Sequence, residues 1–423
     1  MKILNQLQWK KKVKQKMKKQ PTKQRTIRPF SKKLKQKKLN NFGIFCLGCA
    51  QNEVDSLKIN ELLSGRGLNY TSLAKANFVI ILACSVRQSA IDRIWGKLNL
   101  WKNRKKIYIV GCVLATDKQK LEKKYPFLTI LATECFFKQI PRLFPKYPPL
   151  INLLSCENFE NKRHRSRQTP DHAYVPIQFG CDNFCTYCAV PYTRGREKSR
   201  PLKNIIQEII KLIGQGKNHI TLLGQNVNSY GLSKKEKQKN IQNLRQLTGD
   251  KLLLENEKKS IMHNNTGSFS DLLWKLEKIN GLKKLDFLSP NPQDMTSEVI
   301  NWMATSQKFS GKLNLPLQSG SDKILQKMNR RYSAQQYLAL VKKIKRAVPD
   351  IELTTDIIVG FPGETKKDFD ATFKICQKIK FKNIYIGKYS SRLGTVAEKF
   401  FKDDIALKTK KERFEKLNQL PMR

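Results

Sequence analysis

The sequence predicts an α/β protein built from two parallel sheets in tandem. Short apolar runs of strand type alternate with segments of helical spacing from about residue 41 to residue 400. The first three of these runs each end in a cysteine, and a polar stretch at 155–172 divides the alternation into two series. Strand–helix alternation implies parallel pairing, and the ligands of such sheets sit beyond the carboxyl ends of the strands.

Residues 1–40 hold 16 Lys/Arg and no acidic residue, so the segment is expected to be a disordered basic arm when free. It reads either as an RNA-binding arm or as a solubilising tail. The first domain, 41–160, opens with FGIFCLGC and the helical NEVDSLKINELLSGRG, whose glycines suit a C-cap. FVIILACS and KIYIVGCV are its next strands, with a helix over SAIDRIWGKLNLWKN between them. AYVPIQFGC opens the second domain, 168–400, whose strands include HITLLGQ, KLDFLS, GKLNLPLQ, IELTTDIIVG and KNIYIGKYS. Repeated βα units of this kind close into a full or partial barrel. Residues 232–268 break the rhythm and are expected to form a mobile surface insertion. A helical tail is expected over 401–423.

Net charge is +48, from 82 Lys+Arg against 34 Asp+Glu. Such a balance favours a polyanionic partner, because each neutralised phosphate releases counterions. A solvated Lys-rich surface is the competing account. No stretch approaches the roughly 18–20 apolar residues a membrane span needs. The basic N-terminus has no apolar core behind it, so no secretory signal is read. Ten cysteines without such a signal point to metal ligands or catalytic thiols in a reducing, cytoplasmic compartment rather than to disulfides.

Cys181, Cys185 and Cys188 form C-x3-C-x2-C just after a strand, within GCDNFCTYCAVPYTRGREKSR. Three thiolates on one loop can hold three irons of a 4Fe–4S cluster and leave the fourth open. Zinc on this loop needs a fourth ligand from elsewhere. Upstream, Cys49, Cys84 and Cys112 stand at the ends of three successive strands, so all three are expected at one sheet edge. Three buried structural cysteines are the plain alternative. A second cluster better explains their equivalent placement. Cys46, Cys135, Cys156 and Cys376 lack it and are read as structural.

The C-x3-C-x-aromatic-C loop is similar to the signature of the radical S-adenosylmethionine (SAM) superfamily, and both cysteine sets together resemble its methylthiotransferases. The resemblance spans about residues 42–400 and rests on GCAQNEVDS, CSVRQSA, FCTYCAVPYTRGRE, LLGQNVNSYG, LPLQSGSDKILQKMNRRY, TTDIIVGFPGET and YSSRLGT. It implies a Rossmann-like first domain, a partial TIM-like barrel and, as cofactors, SAM and two 4Fe–4S clusters. The cluster at Cys181, Cys185 and Cys188 is implied to cleave SAM, and the resulting radical to take hydrogen from C2 of adenine. The cluster at Cys49, Cys84 and Cys112 is implied to deliver the sulfur.

GQNVNSYG makes the chain most similar to the branch that acts on N6-(dimethylallyl)adenosine beside the anticodon in tRNA. The alternatives are threonylcarbamoyladenosine in tRNA, a ribosomal-protein aspartate, or a non-enzymatic RNA-binding module with structural metal. Tyr187 is implied near the SAM adenine, and Gln225 and Asn226 near its methionine moiety. Gln318, Ser319 and the run from Gly360 to Glu364 stand at similar strand ends. Arg194 and Arg196 are left with three roles: a SAM carboxylate, an RNA phosphate, or an ion pair with Glu197. Implied partners are the tRNA anticodon loop and reduced flavodoxin or ferredoxin. The sulfur donor is not identified, and a monomer is expected. Two departures stand out. ILACS replaces the family's usual Asn-Thr-Cys, and no strand-rich segment corresponding to the family's small C-terminal TRAM barrel is read after residue 400.

Overall fold

The computed structural model describes residues 40–84, 88–101, 105–145, 169–246 and 267–421. The basic arm, Cys156, most of the polar linker and residues 247–266 lie outside them.

The first domain is a five-stranded, wholly parallel sheet. Its elements are β1 (Asn41–Cys46), α1 (Ala50–Ser64), β2 (Asn69–Tyr70), β3 (Phe78–Cys84), α2 (Gln88–Trp101), β4 (Lys106–Cys112), α3 (Ala115–Lys124), β5 (Thr129–Leu131) and α4 (Thr133–Leu143). Strand order is β2-β1-β3-β4-β5. Every residue of β3 is buried, as expected of a central strand covered on both faces. One sequence expectation shifts: β1 ends at Cys46, and Cys49 lies three residues beyond it as the N-cap of α1. The buried face of α1 is largely polar (Gln51, Asn52, Asp55, Ser56), because it looks onto the candidate site rather than a core.

The second domain runs through β6 (His172–Pro176), β7 (Gln178–Phe179), α5 (Val190–Thr193), β8 (Lys198–Ser199), α6 (Leu202–Gly214), β9 (His219–Leu223), α7 (Lys234–Gln246), α8 (Phe269–Glu277), β10 (Lys284–Leu288), α9 (Ser297–Thr305), β11 (Lys312–Asn314), α10 (Asp322–Lys327), α11 (Ala334–Ala347), β12 (Glu352–Val359), α12 (Lys366–Ile379), β13 (Asn383–Lys388), α13 (Val396–Phe400) and α14 (Leu407–Asn418). Two parallel three-stranded ladders, β6-β9-β10 and β11-β12-β13, lie side by side with β10 next to β11. This is a partial parallel barrel, so the fold class read from the sequence holds. Its helices start where local chemistry dictates. Ser268 with Asp271, Ser333 with Gln336 and Thr365 with Asp368 form capping boxes that satisfy the first free backbone N–H groups of α8, α11 and α12.

One expectation is corrected: the start of the supposed surface insertion is the helix α7, which buries Ile241 and Leu244 and sends Lys237 to an ion pair with Glu197. The segment 401–423, expected as a helical tail, contains α14, packed on β12 and β13, with Leu417 and Leu420 in the barrel core. The dense lysines of α7 obscure its few apolar residues. Among the described residues no helix is long and apolar enough to cross a membrane.

Candidate functional site

The C-x3-C-x2-C loop leaves the short antiparallel pair β7–β8 through Gly180 at φ +72°, where a Cβ would stand 2.2 Å from the Arg196 carbonyl oxygen. Only glycine permits that approach. The Cys181 N–H donates to the Gly195 carbonyl at 3.3 Å, and the Cys188 N–H to the Cys185 carbonyl at 2.9 Å. A turn about 140 residues downstream clamps the loop. Asn329 Nδ2 donates to the carbonyls of Asn183 (3.0 Å) and Phe184 (3.1 Å), and Thr186 Oγ1 donates to the Lys327 carbonyl (2.8 Å). Phe184 and Asn329 both take left-handed φ, 48° and 57°. Strain of this kind persists only where surroundings over-determine it.

The three thiols lie within electrostatic reach of one another. Burial pushes Cys181 above the usual thiol range and Cys188 up to about 12, and neighbouring thiolate charge adds to both. Such a trio favours a polycationic centre, which removes both the protons and the repulsion. Among the described residues no three His, Cys, Asp or Glu gather around one point as a single metal ion requires. Three thiols on one loop suit a 4Fe–4S cluster that would take three cysteines and leave one iron open, whereas zinc would need a fourth ligand from elsewhere.

In the first domain, Cys84 and Cys112 are paired in register as the last residues of β3 and β4. Gly111, at φ +120°, lets the β4 backbone lie against Ala83; a Cβ there would meet the Ala83 carbonyl at 2.6 Å. Cys84 and Cys112 are buried, Cys49 is exposed, and Cys112 lies within electrostatic reach of both Cys49 and Cys188. The tertiary structure thus brings the two cysteine sets side by side. Cys46 is half-buried near Cys49, its thiol pushed up to about 12, chiefly by burial. Cys135 is exposed on α4, and Cys376 is in the barrel core.

The other candidates fall into different classes. Tyr187 packs edge-on against Phe361, ring centroids 6.5 Å apart, at the end of the cysteine loop. Gln225 Oε1 and Asn226 Oδ1 are buried acceptors with no protein partner among the described residues. Asn226 Nδ2 donates to Asp294 Oδ2 at 2.8 Å, which fixes which way that acceptor points. Burial raises the Asp294 acid against the hydrogen bonds from Asn226 and Gln293. Orphaned carbonyl oxygens fit a ligand that brings an ammonium group. Gln318 is buried at φ 69°, with its backbone bonded to Asp356 and Ile358. Ser319 is fully buried against Thr372.

Two candidates are engaged by protein partners. Glu364 is 2% exposed, its carboxylate accepts from the Gly360 N–H (2.7 Å), and it pairs with Arg413 (2.5 Å). Among the described residues neither Arg194 nor Arg196 pairs with Glu197. Arg194 is buried between the domains on Cys112, Asn52 and Asp55. Arg196 is exposed, bonds Asp182 at 2.8 Å and lies over the Phe184 ring. Sequence reasoning missed Asn329 and Arg330. Arg330 is half-buried beside Tyr187, Cys185 and Cys188, and its Nε is buried with no partner among the described residues. The run MNRRY, at the end of α10, was the available signal.

Residues 175–376 match the radical SAM superfamily, and residues 41–133 match a family described as Uncharacterized protein family UPF0004. The tRNA-2-methylthio-N(6)-dimethylallyladenosine synthase of Clostridium botulinum strain Hall is 36% identical over 401 residues, covering 91% of this chain and 82% of the relative. The synthases of Clostridium novyi (37% over 391 residues; 89% and 80%) and Fervidobacterium nodosum (36% over 392; 89% and 82%) are similar to the same degree. Among solved structures, the radical SAM methyltransferase TsrM from Kitasatospora setae shares the fold. It has a TM-score of 0.55 and 13% identity, and the match covers 85% of this chain and 74% of that one. By sequence over nearly its whole length, the chain belongs to the tRNA-2-methylthio-N(6)-dimethylallyladenosine synthase family of radical SAM enzymes.

Proposed function

We propose that this chain converts N6-(dimethylallyl)adenosine to its 2-methylthio derivative beside the anticodon of tRNA. Cys181, Cys185 and Cys188 hold one 4Fe–4S cluster, and Cys49, Cys84 and Cys112 hold the other. The observation that carries the reading is the adjacency of the two cysteine sets, with Cys112 and Cys188 within electrostatic reach. The target carbon carries an unactivated C–H bond that no side-chain acid or base removes at neutral pH. The bound clusters and SAM supply the radical and sulfur chemistry, as cofactors do for such reactions.

The chain's own residues bind and orient. Tyr187, packed edge-on against Phe361 next to Cys188, would wall the space where SAM binds. Gln225 and Asn226 offer acceptors to the ammonium of SAM, with Asp294 holding Asn226 in place. Gln318 contributes from the facing ladder. Arg330 offers a donor beside Cys185 and Cys188 and suits the carboxylate of the same ligand. Arg196, exposed over Phe184 at the rim, is placed to meet RNA phosphate. An unpaired loop base can be splayed out to reach such a site, which an anticodon-loop adenosine satisfies. The enzyme works as a cytoplasmic monomer, with reduced flavodoxin or ferredoxin as electron donor.

The test is anaerobic reconstitution followed by iron and sulfide counting. About eight irons in wild type and about four in the Cys181/Cys185/Cys188→Ala protein are expected. About four in wild type removes the second cluster and the sulfur-delivery role with it. Nucleoside mass spectrometry of tRNA from a deletion strain then identifies the base: loss of the 2-methylthio-dimethylallyl nucleoside is expected, and loss of a threonylcarbamoyl derivative overturns the substrate.

A further inference from the structure

Arg194 belongs to the barrel by its backbone and to the first domain by its side chain. It caps the one-turn helix α5 that follows Cys188, its N–H donating to the Val190 carbonyl at 2.8 Å. Its side chain is 10% exposed. Nε donates to Cys112 Sγ at 2.9 Å, and Nη2 donates to Asn52 Oδ1 at 2.9 Å and to Asp55 Oδ2 at 3.3 Å. Asn52, fully buried, in turn donates to the Ala83 carbonyl at 3.1 Å, next to Cys84, and lies 3.9 Å from Cys49 Sγ. One planar cation from the radical-generating domain therefore touches one cysteine of the upstream set and, through Asn52, the surroundings of the other two. A buried guanidinium is costly unless each N–H direction is used. A lysine has the charge but not the rigid fork.

We propose that Arg194 is a positioning residue for the cluster at Cys49, Cys84 and Cys112: it hydrogen-bonds a ligand sulfur, raises the reduction potential of that cluster and fixes its separation from the first cluster. The inference rests on the reading that these three cysteines hold a cluster. Reduction adds negative charge, so a buried cation donating to a ligand sulfur favours the reduced form. Asp55, buried 3.3 Å from Arg194 Nη2, opposes that effect. The sign distinguishes tuning from a merely structural role. If Arg194 only docked the domains, its loss would admit water, which stabilises the more charged reduced state and raises the potential.

The test uses the Cys181/Cys185/Cys188→Ala background, so that only the upstream cluster titrates. About four irons must remain there; none overturns the cluster reading and this inference with it. In that background, Arg194→Gln is expected to shift the reduction equilibrium at least tenfold toward the oxidised form, a fall of about 59 mV for one electron. Arg194→Lys is expected to recover part of the fall, and Asp55→Asn to shift the potential upward. An unchanged or raised potential in Arg194→Gln overturns the proposal. Should that variant fail to take up iron, an unchanged or lowered potential in Asp55→Asn overturns it instead.

Discussion

Glu364 and Arg413 show how one pair can turn a motif residue into a brace. The glutamate of GFPGET stands at a strand end, where a ligand contact is expected, yet its carboxylate is occupied by Gly360 and by an arginine 49 residues away. Removing one partner of a buried pair leaves the other charge uncompensated, at a cost of about 3–5 kcal/mol. Glu364→Ala is therefore expected to lower stability by about that amount in denaturant unfolding, with SAM affinity of the folded protein unchanged. A drop in SAM affinity at full stability would restore the ligand role. Asn329 acts at the same scale. Its amide holds two carbonyls of the cysteine loop while its backbone sits at φ 57°. Asn329→Gly keeps the backbone and removes the clamp, so iron bound per chain should fall, consistent with about 1–3 kcal/mol for removal of a buried hydrogen-bond partner. Full iron occupancy in Asn329→Gly would show that the clamp is dispensable.

Among the elements, the amino ends of β6 and β9 carry two of the chain's four histidines, with ring centroids 4.5 Å apart. His172 Nε2 meets Thr221 Oγ1 at 2.8 Å, while His219 pairs with Asp286 at 2.9 Å. Burial first, and the neighbouring His219 second, hold His172 down near 4. The unfolded chain takes this proton near 6.5 and the folded chain does not until about 4. Stability from this site is therefore complete above about pH 6.5 and is lost as pH falls toward 4, by up to about 3 kcal/mol. Melting curves of wild type and His172→Gln between about pH 7.5 and 4.5 should converge as pH falls; parallel curves would remove the site from the account. This end of the barrel is opposite the cluster loop, so the effect is one of stability alone.

Over the whole molecule, charge and cysteine placement act at different ranges. The N-terminal arm adds 16 of the chain's 82 cations to any encounter with RNA. Deleting residues 2–40 is expected to weaken tRNA binding and to flatten its salt dependence, by about 0.7–0.9 in log–log slope for each phosphate the arm neutralises. An unchanged slope would make the arm a solubilising tail. At this scale the parallel pairing of the strands and the two cysteine sets were legible in the residues, because strand–helix alternation and a three-cysteine loop are local patterns. The helix α7 was not, nor was the packing of α14 on the barrel, because lysines conceal the few apolar residues that seat them.

Local chemistry is written in the order of the residues. It sets strands that end in cysteine, a loop that presents three thiols, capping boxes that start helices, and a surface charge suited to RNA. Which charged side chains face ligand and which brace the fold is a matter of three-dimensional packing. Arg194 meets Cys112 and Asn52 from 82 and 142 residues away, and Glu364 meets Arg413 from 49. A buried ion has to be satisfied by whatever packing brings within about 3 Å of it. Spacing along the chain does not record that partner, because the partner is chosen by how two domains and a final helix close together.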